Sequence, residues 1–269
     1  MSLKTDMLAK MELLGIKPKR SLGQNFLISE HVVGQIFKHI ELRKPQFIVE
    51  VGPGLGTLTE RLIERQWPRT LIEYDSQFAG YWRERGESVV EQDALLFNWN
   101  EIKNERIMVL GNLPYQIGAR LILELSLAKA EIEVLLFMLQ KEVAQRMAAP
   151  QNSADYGFLS VVAQTFWSVS QVVDASPGDF FPQPNVASRV LAFKRKVVDP
   201  RLDQRFLNFV KKAFQYRRKY MLKSFPGEVE QVKRALVQMG LTETVRAEEL
   251  TVQNFHSLFL ACYSENAIG

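Results

Sequence analysis

From residue 46 onward the chain alternates short apolar runs with amphipathic segments, a rhythm that few folds accommodate. Residues 46–51 (QFIVEV), bounded by Pro45 and a glycine cluster, predict a buried strand. Residues 57–65 carry Leu58, Leu62 and Ile63 at helical spacing, and residues 69–74 (RTLIEY) predict a second strand. A helix over 77–85 and a short strand over 88–91 follow. Residues 106–110 (RIMVL) predict a fourth strand ending at Gly111, residues 118–127 a helix, and residues 133–138 (EVLLFM) a fifth strand. Strand–helix alternation of this kind requires a parallel sheet covered on both faces. Two later β-like stretches, 168–175 and 188–194, are separated by prolines and predict an antiparallel pair at the sheet edge. Beyond Asp199–Pro200 only helical spacing remains, carried by Phe206, Phe209, Val210, Ala213 and Phe214. The expected boundary therefore lies near 198, with one domain over 1–198 and a smaller all-helical one over 199–269.

Composition excludes several classes. No apolar run approaches the roughly 18 residues of a membrane span, and residues 1–10 lack the apolar block of a signal peptide. The expected location is therefore cytoplasmic. Cys262 is the one cysteine, so no intrachain disulfide forms. With three histidines beside it, no metal-ligand spacing arises, and no metal is expected. The net charge of +4 says little by itself, whereas clustering says more, because neutralising phosphates takes several cations on one face. Lys17, Lys19 and Arg20 form one cluster. Lys211, Lys212, Arg217, Arg218 and Lys219, with Lys223 nearby, form a second, and this one is the candidate RNA-binding face.

Gly52, Gly54 and Gly56 sit between the first strand and the first helix, where a tight turn brings backbone close to a ligand. Their G-x-G-x-G spacing departs from the G-x-G-x-x-G of the dinucleotide fingerprint and favours a cofactor without phosphate. Glu73, at the end of the second strand, stands where a carboxylate accepts hydrogen bonds from ribose hydroxyls. Asp93, after the third strand, stands where an adenine amine can be bound. An adenosyl cofactor, S-adenosylmethionine, accounts for all three features together.

Gly111-Asn112-Leu113-Pro114-Tyr115 follows the fourth strand, at the carboxyl edge where open α/β sheets bind ligands. Read alone, the tetrapeptide Asn112 to Tyr115 is a turn. Beside a cofactor loop it suits the methylation of an adenine amine, whose lone pair is delocalised into the ring. The Asn112 side-chain oxygen and the Leu113 carbonyl, held extended by Pro114, are expected to accept the two N–H bonds. Tyr115 is expected to stack on the purine and face the developing charge. The base must be unpaired or flipped to reach such a pocket. Phe180, on the proline-stiffened stretch 179–184 (DFFPQP), is the expected second face, although an aromatic in that setting is otherwise core.

These motifs, in this order, resemble the ribosomal RNA adenine dimethyltransferase family. Residues 21–27 (SLGQNFL) are similar to its N-terminal signature, and Gln92-Asp93-Ala94 and residues 180–188 to later motifs. Residues 214–219 (FQYRRK) are similar to the basic helix of its C-terminal domain. The resemblance implies an α/β, Rossmann-like class I methyltransferase sheet with a smaller all-helical C-terminal domain that contacts rRNA. It implies N6,N6-dimethylation of two adjacent adenosines near the 3′ end of small-subunit (16S) rRNA during ribosome assembly. The partner would be the immature small subunit, and the enzyme a monomer. It further implies cofactor contacts from Asn25, Leu27, Gly52, Gly54, Glu73, Asp93 and Asn112. Leu22, Tyr74, Asn185 and Ala187 depart from the family pattern, and residues 1–12 or so have no counterpart in it. Two alternatives stay open: an erythromycin-resistance-type enzyme dimethylating large-subunit rRNA, and a non-catalytic assembly or nucleic-acid-binding factor on the same scaffold.

Overall fold

The computed structural model describes residues 2–19, 22–114 and 117–263. Packing divides the chain into two compact units, Met1–Ala144 with Val169–Arg195 and Gln145–Ser168 with Lys196–Gly269.

The first unit opens with a helix that the periodicity did not predict, α1 (Leu3–Leu14), capped by the Ser2 hydroxyl and closed by Gly15 at φ 62°. A two-residue strand, β1 (Phe26–Leu27), leads to α2 (Glu30–Arg43), whose first turn is capped by Ser29. α2 buries Val32, Val33, Ile36, Phe37 and Ile40, each contributing roughly 1.5–3 kcal/mol over an exposed position. The alternating region then runs β2 (Phe47–Val51), α3 (Thr59–Glu64), β3 (Arg69–Glu73), α4 (Ser76–Glu84) and β4 (Val89–Glu91). It continues through β5 (Ile107–Asn112), α5 (Gly118–Leu127) and β6 (Ile132–Gln140). After α6 (Lys141–Ala148) and α7 (Phe158–Phe166), the chain returns as β7 (Trp167–Ala175), β8 (Phe180–Phe181) and β9 (Ser188–Arg195).

Among the described residues a seven-stranded sheet has the order β4-β3-β2-β5-β6-β9-β7. β4, β3, β2, β5 and β6 are parallel, and β9 is antiparallel to β6. The two late strands are neighbours as expected, with β7 on the edge and β9 inside it. Successive residues of β2, Ile48 and Val49, are both fully buried, as a sheet covered on both faces demands. On one face, α2 and α3 pack Ile36, Ile40 and Leu62 against Ile48, Met108 and Leu136 of the strands.

From β2 the chain winds outward to β3 and β4, whereas β5 lies on the other side of β2. β2 and β5 therefore flank the topological switch point, where the loops after parallel strands diverge and leave a crevice. The glycine loop follows β2 and Asn112 ends β5, so topology alone makes these two motifs neighbours.

The second unit is helical, with α8 (Gln204–Ala213), α9 (Val229–Gln238) and α10 (Val252–Tyr263) around a ring cluster. Phe206, Phe209, Phe225 and Phe259 meet there at centroid distances of 5.1–5.7 Å. A contiguous cut at 198 does not describe this division, because 145–168 packs with the helices. The Tyr156 hydroxyl donates to the Leu250 carbonyl at 2.9 Å, its ring meets Phe214, and Thr165 bonds His256 at 2.9 Å. Pairings between residues this far apart in the chain leave no periodic trace in the sequence. No described helix is long and apolar enough to cross a membrane.

Candidate functional site

A cavity of about 320 Å³ opens in the first unit at the carboxyl ends of β2, β3, β4 and β5. Asn25, Leu27, Gly52 and Gly54 line it on one side, and Glu73 and Asp93 at strand ends. Asn112, Leu113, Pro114 and Phe180 of the expected set line it as well. Tyr115 lies outside the described residues, as do Arg20 and Ser21.

The glycine loop is held open from behind. Gly54 and Gly56 have φ of 51° and 90°, and the Trp82 indole N–H donates to the Gly54 carbonyl at 2.9 Å. A Cβ at Gly56 would come within 2.4 Å of that indole, so only glycine lets Trp82 seat beneath the loop. Glu73 is buried and accepts the N–H groups of Gly54 at 3.1 Å and Asp75 at 2.8 Å, one on each oxygen. The Tyr74 N–H also faces this carboxylate, and the lone pairs that remain are available for a diol. Burial pushes the Glu73 carboxyl above its ordinary value, and the N–H donors of Asp75, Gly54 and Tyr74 partly offset this. Asp93, half-buried, accepts the Leu95 N–H at 2.9 Å on one oxygen. The Asn112 amide nitrogen donates to the Asn25 carbonyl at 2.8 Å, which leaves the amide oxygen as the acceptor in the wall.

Phe180 is only 1% exposed. It packs in the core with Leu27 and Ala175, pairs with Leu27 across the small β1–β8 sheet, and is among the residues lining the cavity. It is a wall built into the fold.

Sequence reasoning missed Glu50, a lone acid inside an apolar strand, which is itself the signal that would have marked it. Glu50 lines the cavity, is 2% exposed and accepts the Thr59 hydroxyl at 2.8 Å. Burial pushes its carboxyl up to about 8, against the Thr59 hydrogen bond that favours the ionised form. Asp75 was missed as well. It caps α4 through the Gln77 N–H and takes the Lys19 ammonium at 2.9 Å. Lys19 is thereby committed to this pair and does not belong to a free basic cluster.

The basic face of the second unit divides in two. Lys211, Arg218 and Lys219 are exposed. Lys212 pairs with Glu228 at 2.9 Å and covers the Phe225 ring. Arg217 pairs with Glu248 at 2.9 Å and donates to the Ser153 carbonyl at 3.1 Å. No group of described residues could hold a metal ion.

Four carboxyl side chains, Glu50, Glu73, Asp75 and Asp93, line the cavity, and no lysine or arginine does so among the described lining residues. Without a cation to meet phosphates, such a lining disfavours a pyrophosphate, and the carboxyls of Glu73 and Asp93 suit a ribose diol and an adenine amine, both present in S-adenosylmethionine. A parallel sheet that binds this cofactor at its switch point makes the chain a class I methyltransferase.

Comparison with known proteins narrows the class. The family described as "Ribosomal RNA adenine dimethylase" matches residues 15–263, and the chain belongs to it. The chain is 44% identical over 256 residues to a ribosomal RNA small subunit methyltransferase A from Bdellovibrio bacteriovorus, covering 92% of this chain and 93% of the relative. Its fold is similar to that of a dimethyladenosine transferase from Plasmodium falciparum, with a TM-score of 0.71, 22% identity, and coverage of 87% of this chain and 96% of that one. It is also similar to the 23S rRNA methyltransferase ErmE, with a TM-score of 0.64, 25% identity, and coverage of 88% and 99%. The protein is thus an S-adenosylmethionine-dependent enzyme with ribosomal RNA as substrate.

Proposed function

We propose that this enzyme dimethylates N6 of two adjacent adenosines near the 3′ end of small-subunit rRNA, on the immature subunit, as a cytoplasmic monomer. The name and 44% identity of the Bdellovibrio relative support the small-subunit target over the large-subunit one. The observation that carries the chemistry is the Asn112 amide, whose nitrogen is consumed by the Asn25 carbonyl so that its oxygen accepts.

When bound, the cofactor supplies a methyl group on a cationic sulfur. Glu73 would hold its ribose, Asp93 its adenine amine and the Gly52–Gly54 backbone the turn beneath it, with Asn25 and Leu27 closing the front. The Asn112 oxygen and the Leu113 carbonyl accept the target N–H bonds, which localises the amine lone pair and stabilises the charge that develops there. Phe180 and Tyr115 provide faces for the unpaired purine. The methylated ammonium is acidic enough to lose its proton to water, so no side chain with a specially tuned pKa is required. Lys211, Arg218 and Lys219 of the helical unit bind phosphates of the rRNA, with Lys212 and Arg217 holding the shape of that face.

Transfer of radiolabelled methyl groups onto immature small subunits tests this reading. Asn112→Ala is expected to lose at least about 10² in rate, the usual cost of removing one charge-stabilising hydrogen bond. An Asn112→Ala enzyme as fast as wild type would refute the chemistry, and label on large-subunit rRNA would refute the target.

A further inference from the structure

Asp75 lies behind the proposed catalytic groups, yet it is wired to both ends of the site. Its side chain is 2% exposed and takes the Lys19 ammonium at 3.0 and 2.9 Å on its two oxygens. One of these oxygens also takes the Gln24 amide nitrogen at 3.0 Å. The other end of the Gln24 amide accepts the Lys19 backbone N–H at 2.8 Å, so Lys19 and Gln24 close on each other around the carboxylate. The Asp75 N–H donates to Glu73 at 2.8 Å, fixing the proposed ribose acid. In the other direction, Gln24 is followed by Asn25, whose carbonyl orients the Asn112 amide.

The orientation of that amide decides its chemistry. With the nitrogen on the Asn25 carbonyl, the oxygen accepts a target N–H, whereas a rotated amide would set donors against donors. We propose that Asp75 is a positioning residue: by latching Lys19 and Gln24 it sets residues 22–27, and through the Asn25 carbonyl it couples the cofactor wall to the amine-accepting oxygen. This inference rests on the reading of Asn112 as the amine acceptor.

The test measures KM for S-adenosylmethionine, and kcat at saturating cofactor, on unmethylated small subunits. Asp75→Asn keeps the side-chain volume and a residue able to cap α4 while removing the charge on which Lys19 sits. Lys19→Met removes the cation from a partly exposed position. Each variant is expected to raise KM and to lower kcat roughly ten-fold, the scale of a lost charged hydrogen bond. Lys19→Arg, which restores a cation, should return both constants to near wild type. A raised KM with unchanged kcat would overturn the coupling, and so would two unchanged constants. Asn112→Ala in the same assay separates the two claims. If it is inactive while Lys19→Met and Asp75→Asn match wild type, the latch alone fails. If Asn112→Ala is fully active, the site reading fails and takes the latch with it.

Discussion

Gly111 offers the sharpest test of how the fold builds this site. It lies on β5 immediately before Asn112, opposite Val51, the last residue of β2 before the glycine loop. A Cβ placed on Gly111 would come within 2.4 Å of the Val51 carbonyl oxygen, a backbone atom that no side-chain rotation can move. Restoring ordinary contact at 3.4 Å requires the two central strands to part by about 1 Å at the switch point. Gly111→Ala should therefore cost about 1–3 kcal/mol or somewhat more, as overpacking does in a rigid core. A displacement of about 1 Å at catalytic groups costs on the order of 10² in rate, so activity should fall further than stability. Gly118→Ala is the matched control. Its Cβ would meet Leu139 Cδ2 at 2.5 Å, but that atom ends a flexible side chain. Urea denaturation with a constant slope would measure stability, and labelled methyl transfer would measure activity. Wild-type activity in Gly111→Ala, or a greater loss in Gly118→Ala than in Gly111→Ala, would refute the reasoning.

The buried acid gives a second prediction. In the fold Glu50 holds its proton up to about 8 rather than 4.5, so its stabilising contribution is complete below 4.5 and is lost as pH rises towards 8. The urea midpoint of ligand-free wild type should decline across that window, and Glu50→Gln should flatten the decline; parallel curves for the two proteins would count against it. The helical unit gives a third. The double variant Arg218→Ala, Lys219→Ala should reduce the slope of log affinity for the particle against log salt by roughly one to two, about 0.7 per phosphate contact on single strands. Arg217→Ala, which breaks the ties to Glu248 and Ser153, should lower the unfolding midpoint and leave that slope unchanged. Equal salt slopes for all of these proteins would return the whole cluster to a solvated face.

Much of the architecture was legible because its determinants are local. Strand periodicity, the glycine turn after residue 51 and the Asn-Leu-Pro stretch at the end of the fourth strand are written in neighbouring residues, although that strand runs on through Asn112 rather than ending at Gly111. α1 and α2 precede the strand-bearing region and were not predicted, although α2 carries a capping serine and a buried stripe that are local signals of a helix. The assignment of 145–168 to the helical unit depends on Tyr156 finding the Leu250 carbonyl, which no local pattern encodes.

The sequence by itself determined the fold class, the glycine turn after β2 and the residues that the motifs bring to the sheet edge, since residue type and short spacing set each of these. Tertiary structure decided how those residues are presented. It turned the Asn112 amide by way of Asn25, walled Phe180 into the core, committed Lys19 to Asp75 and Arg217 to Glu248, and buried Glu50. Orientation, charge pairing and desolvation are properties of groups brought together from distant points of the chain, and they come into being only when the chain has closed on itself.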